Sequence, residues 1–199
     1  ESCVEWSNAA ITWRMKAAAM GLPFLPARSM LGTDMLKYSA AKVVKDPFTG
    51  IPVALLPALI LDVALIHVHR ADKYGNCQIE GNSGFLLEMS RACKRLIISA
   101  EEIIPTEEIR KYPDRTVIPY YLVDAVVHAP YASHPGEMAF LYGRDEPVLK
   151  EWSEMSKTIE GTQQYLNKYV YTPKNHAEYL QLIGEERLQE CIRLREKRE

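Results

Sequence analysis

Two hydrophobic periods alternate along this chain. Residues 62–69 read D-V-A-L-I-H-V-H, an almost unbroken apolar run, which is the pattern of a strand buried on both faces of a parallel sheet. Leu96 to Ala100 forms a second short apolar strand, and Val117 to Val127 is again strand-rich, with Asp124 inside it. Cys3 to Trp6 reads as the end of a further strand. Between these lie stretches of helical character. Asn8 to Met20 is rich in Ala and Met, with Ser7 placed to cap it and Gly21, Pro23 and Pro26 to stop it. Thr33 or Asp34 caps a short helix to about Lys45, Asn82 or Ser83 one through Lys94, and Thr106 to Tyr112 is a brief helix. Asp46 to Gly50 and Ala71 to Asn76 carry turn chemistry. The last quarter is helical: Asp145-Glu146-Pro147 starts it, Gly161 weakens it, Asn175-x-x-Glu178 resembles a capping box, and 185–199 is a solvated, charge-dense helix. Strands alternating with helices predict an α/β fold with a mainly parallel sheet flanked by helices.

Composition narrows the class. A hydrophobic fraction of 47% and a charged fraction of 25% over 199 residues suit a folded core. Twenty-four basic against 26 acidic residues leave a net charge of −2, which gives no footprint for nucleic acid or a membrane surface. The longest apolar run, Ile51 to Ile66, is broken by Pro52, Pro57 and Asp62, so it does not supply the ~20 residues of a membrane span. Cysteines 3, 77, 93 and 191 form no C-x-x-C pair and suit a reducing cytoplasm, without a zinc ribbon or a disulfide framework. The chain opens at Glu1-Ser2-Cys3 with neither an initiator Met nor a basic-then-apolar leader, and reads as a fragment or processed product.

Motifs for dinucleotide binding, P-loops, zincins and nucleophile elbows are absent from the sequence. His67 and His69, at i and i+2 on one strand, share a face, but no third metal ligand follows from spacing, so no metal is expected. Glu80, before G-N-S-G, is either a nucleophile in a small-residue loop or part of a turn and helix cap. Glu5 stands where the first expected strand ends, and Arg28 and Ser29 follow the strand-like F-L-P-A; carboxylate, guanidinium and hydroxyl at strand ends are site candidates, or surface structure. His134, in P-Y-A-S-H-P-G, either donates to a substrate or closes a turn.

Four segments carry a resemblance: G-L-P-F-L-P-A-R-S-M-L-G-T-D at 21–34, D-V-A-L-I-H-V-H-R-A-D-K-Y-G-N-C-Q-I-E-G at 62–81, V-D-A-V-V-H-A-P-Y-A-S-H-P-G at 123–136 and Y-G-R-D-E at 142–146. In order and spacing they resemble the A-type subunit of family I CoA transferases, the glutaconate CoA-transferase type, over residues 4–155. That resemblance implies a CoA-transferase-like α/β domain over 1–155, lacking an N-terminal glycine-rich segment, with 156–199 as its helical extension. It implies a cytoplasmic hetero-oligomer with the B-type CoA-transferase subunit, in which coenzyme A moves between carboxylic acids through a glutamyl-CoA thioester on that partner. Acyl-CoA and carboxylic acids are then the substrates, with no metal. Glu5, Arg28 and Ser29 would line the acyl pocket, while Asn76, Glu80 and His134 support loops, so Glu80 is not the nucleophile. Where the family shows Gly-Ala before His-Pro, this chain has Ala132-Ser133. A related subgroup is similar to hydrolases that open a ring of a steroid-derived CoA thioester, and there Glu5 would be the acid/base. A third reading is a non-catalytic subunit that shapes its partner's site.

Overall fold

The computed structural model describes residues 3–196. Its elements run α1 (Asn8–Ala19), β1 (Phe24–Ala27), α2 (Asp34–Tyr38), β2 (Lys42–Lys45), β3 (Pro52–Pro57), β4 (Leu61–Ala71), β5 (Cys77–Gln78), α3 (Leu86–Arg91), β6 (Cys93–Ile103), α4 (Thr106–Lys111), β7 (Thr116–Ile118), β8 (Ala125–His128), α5 (Glu146–Met155), α6 (Ile159–Leu166), α7 (His176–Ile183) and α8 (Glu185–Glu196). Contacts divide the chain into two compact units, Glu1–Ser99 with Ile103–Val127, and Ala100–Glu102 with His128–Glu199.

The first unit holds a three-stranded antiparallel sheet, order β1-β3-β2, with Ala27 opposite Ala54 and Lys42 opposite Leu55. The main sheet has the order β7-β5-β4-β6-β8, and β5 runs antiparallel to both of its neighbours. The α/β class therefore holds, with a mixed sheet and a second, antiparallel one beside it. Ile66, Val68, Leu96, Ile98 and Ile118 form the buried side of the main sheet, and α3 packs between it and α1.

Local chemistry sets most boundaries. Ser7 Oγ accepts from Ala10 N at 3.2 Å, capping α1 as its sequence requires. Asp145 caps α5 through Val148 N, and Pro147 sits in that first turn, where the missing N–H is harmless. Asn175 Oδ1 accepts from Glu178 N, while Glu178 reaches back to Lys174 N.

Several expectations are corrected. Residues 3–7 are irregular, not a strand, so Glu5 precedes a helix and ends no strand. The helix at Asp34 stops at Tyr38, because Lys42-Val43-Val44-Lys45 pairs with β3 as a hairpin arm. The helix expected from Asn82 begins only at Leu86; Asn82 Oδ1 instead accepts from Gly84 N, closing a local turn. Strand character at 117–127 is interrupted by a 3₁₀ turn at Tyr120–Leu122, and Asp124 precedes β8. β4 is not buried on both faces: Ala64, Ile66 and Val68 are covered, whereas Leu65 is 72% exposed. An apolar run states what burial a strand tolerates, not that something covers it.

Candidate functional site

Glu5, Arg28 and Ser29 are each exposed and each lies beside a residue of one small core. Trp6, next to Glu5, packs on the cluster of Ala10, Ala27, Met30, Ala54 and Leu56. Ala27 and Met30 bracket Arg28 and Ser29 at the carboxyl end of β1. All three candidates thus stand on the rim of one small core, with exposed side chains. Nearby, Asp34 pairs with Lys37 at 2.7 Å. Arg14 lies 4.1 Å over the Trp6 ring and donates through Nε to Pro57 O, which fixes the approach to α1.

The A-D-K-Y-G-N turn is built around Asp72. Its buried Oδ1 accepts from Tyr74 N, Gly75 N and Asn76 N at 2.9–3.0 Å, and Oδ2 accepts from Asn76 Nδ2 at 2.8 Å. Burial alone would raise the Asp72 carboxyl, yet these donors hold it below its ordinary value. Asn76 Oδ1 in turn accepts from Tyr120 N. Burial first, and then the Asp72 charge, push the Cys77 thiol up to about 12, so this cysteine is inert. Glu80 is held at both ends: its amide donates to His69 Nδ1 and its carboxylate meets Arg70 at 3.1 Å. His67 Nδ1 lies 2.9 Å from Ser99 Oγ.

The second unit centres on His134. Its Nε2 lies 3.1 Å from Asp145 Oδ2 and its Nδ1 lies 2.7 Å from Tyr179 Oη. Arg187 donates to both Asp145 oxygens through Nε and Nη2. Burial would raise Asp145, but the Arg187, His134 and Val148 donors overcome it and hold the carboxyl at about 2. An ionised carboxylate only accepts, so His134 carries a proton on Nε2, facing Asp145. Burial pushes the Tyr179 hydroxyl up to about 12, so it stays a donor.

Ligand atoms of His134, Asp145 and Cys191 lie within 4.8 Å of one another. These are donor types that zinc accepts. Here the Arg187 guanidinium already supplies the positive charge, and burial raises the Cys191 thiol. Beside this node, Glu101 Oε2 accepts from Tyr131 N and Oε1 from Tyr142 Oη, while Ser133 N donates to Tyr142 Oη. Ser133 thereby joins the same network. Asp145 was legible only as a helix start, and Arg187 was hidden in a charge-dense tail. The available signal was Leu188 and Cys191, a buried apolar stripe on α8 beside Arg187.

Residues 1–129 match the coenzyme A transferase family, and the chain belongs to that family. It is 54% identical over 196 residues to a protein of unassigned function from Archaeoglobus fulgidus, covering 98% of this chain and 44% of that protein. It is 36% identical over 201 residues to the A-type subunit of glutaconate CoA-transferase from Acidaminococcus fermentans, covering 92% and 63% respectively. The crystal structure of that glutaconate CoA-transferase superposes with a TM-score of 0.88 over 92% of this chain and 63% of the matched chain. A cholesterol ring-cleaving hydrolase IpdA subunit from Rhodococcus jostii is 31% identical over 166 residues, covering 78% and 56%. The chain thus spans between 44% and 63% of the length of these relatives. Among the described residues, no helix is long and apolar enough to cross a membrane.

Proposed function

We propose that this chain acts as the A-type subunit of a cytoplasmic, heteromeric CoA transferase. The observation that carries the reading is the likeness, in sequence and in fold, to the corresponding subunit of glutaconate CoA-transferase. In this mechanism a glutamate supplied by the partner attacks the acyl-CoA carbonyl. The C–S bond breaks, leaving an acyl-glutamyl anhydride and CoA thiolate. The thiolate then attacks the glutamyl carbonyl, releases the carboxylic acid and forms glutamyl-CoA. An acceptor acid reverses the sequence. This chain binds the acyl group: Arg28 grips its distal carboxylate or keto group, and Glu5 and Ser29 complete the rim. Asn76 and His134 support this through the turn and loop they fix, and the pairing of Glu80 with Arg70 fits a loop role.

Incubating the complex with acyl-CoA should give a hydroxylamine-sensitive thioester on the partner, with ping-pong kinetics. A thioester on Glu80 overturns this division of labour between the two chains. Arg28→Ala should remove roughly 1.5–3 kcal/mol for a hydrogen bond to a charged group. At 1.4 kcal/mol per tenfold, kcat/KM for a dicarboxylic or keto-acid substrate falls about 10–150-fold. An acid lacking the distal group should lose much less; equal losses would sink the clamp.

The likeness to the ring-cleaving hydrolase, together with the exposed Glu5 carboxylate, supports a second reading in which Glu5 serves as acid/base. Product release from acyl-CoA without an acceptor acid would favour it.

A further inference from the structure

The turn that joins β4 to β5 also forms one side of a cleft that the proposed reaction does not use. Between this turn, α4 and the 3₁₀ turn after Pro119 lies a cavity of about 580 Å³, within the size range of small-ligand sites. A second depression of about 430 Å³ adjoins it, sharing Tyr74, Thr106 and Arg110. The main cleft has an apolar lining from Ile109, Pro113 and the rings of Tyr74 and Tyr120. Both rings are more than half exposed, so they flank the space rather than fill it.

Two polar features separate this cleft from an ordinary surface groove. Arg110 contributes the cation of its lining and is exposed, while the neighbouring Lys111 is engaged by Glu108 at 2.6 Å. Thr116 lines the cleft, and its buried Oγ1 has no hydrogen-bond partner. Buried hydroxyls are almost always paired, and a water or a ligand atom completes one that the protein leaves unpaired. A single lining cation matches one negative charge and leaves a dianion such as phosphate under-neutralised. The apolar walls call for a body as well as a charge.

We propose that this cleft binds a small organic monocarboxylate with a flat apolar body, with Arg110 holding the carboxylate and Thr116 giving the second polar contact. The body lies between the Tyr74 and Tyr120 rings. The site shares no residue with Glu5, Arg28 and Ser29. Its test is binding, so the result stands apart from the fate of the transferase reading.

The experiment titrates the full-length protein carrying this chain, in the assembly in which it purifies, with benzoate, followed by NMR and calorimetry. Benzamide serves as the neutral twin and acetate as the twin without a body. Benzoate should bind saturably, with both twins at least tenfold weaker. Arg110→Ala should weaken benzoate at least tenfold and Arg110→Lys less. Thr116→Val should weaken benzoate severalfold while leaving Tm at or above the parent value, because it removes an unpaired hydroxyl and breaks no bond. Non-saturable benzoate, equal binding of benzamide, or unchanged affinity in Arg110→Ala overturns the proposal. A lowered Tm in Thr116→Val shows the hydroxyl to be paired within the protein, and overturns its assigned role.

Discussion

Asp145 is kept ionised by its neighbours rather than by water. Its folded carboxyl ionises at about 2, against an ordinary value of 3.8. A depressed carboxyl contributes stability that is present above the unfolded value and is lost as pH falls through the folded one. The shift is worth roughly 2–3 kcal/mol at neutral pH by that linkage. Asp145→Asn keeps a helix-capping oxygen but loses the charge. It should therefore lower Tm most at pH 5 and above, with the gap to the parent narrowing steadily between pH 4 and pH 2. Thermal melts across that range check this, and a pH-independent gap would show that the Arg187 pair contributes nothing through charge. Sequence alone exposed one half of this node. His134 and Asp145 sit in recognisable segments, whereas Arg187 and Tyr179 lie 42 and 45 residues from the groups they meet, Arg187 on a helix whose composition reads as solvated. No local pattern encodes that pairing.

At the scale of elements, the turn at 72–76 shows how completely a short motif can specify a shape. Asp72 collects three backbone amides, and Asn76 locks onto both Asp72 and Tyr120. Gly75 adopts φ +101°, and a Cβ there would stand 2.7 Å from Val123 Cβ. Gly75→Ala therefore meets two obstacles, a left-handed backbone and an overlap with a partly buried side chain. It should cost about 2–4 kcal/mol, by those strain and overpacking magnitudes. Chemical denaturation should show the midpoint falling with little change in slope. A loss under about 1 kcal/mol would mean that the Val123 segment moves aside freely. This turn, α1 and α5 were legible because their signals are local: an Asx side chain, a capping Ser, a first-turn Pro. The β2 arm was not legible, because Lys42 to Lys45 is exposed throughout and owes its strand to pairing with β3. Nor was the bare side of β4, since apolar composition is the same whether or not a face is covered.

At the scale of the whole chain, the family match and the compact units do not end at the same place. The match closes at residue 129, while the second unit takes Ala100–Glu102 from near the C-terminal end of β6 and then runs from His128 onward. Residues of that unit terminate the bonds of β6: Ala129 N donates to Ala100 O, and Tyr131 N and Tyr142 Oη satisfy the Glu101 carboxylate. Cutting the chain after Ala129 would leave Glu101 without either donor. It would also remove the buried cluster of Met138, Tyr142 and Cys191. A carboxylate that loses charge-assisted donors carries a penalty of roughly 1–3 kcal/mol or more, a large share of the 5–15 kcal/mol that holds a typical domain together. The fragment 1–129 should therefore show no cooperative thermal transition and should bind a hydrophobic dye, while the 199-residue chain melts in one or two sharp steps. Circular dichroism melts of both, at matched concentration, decide the point. A fragment that melts as sharply and at the same temperature as the longer chain would show that the family-matched portion folds by itself, and that the helices after His128 serve something other than its stability.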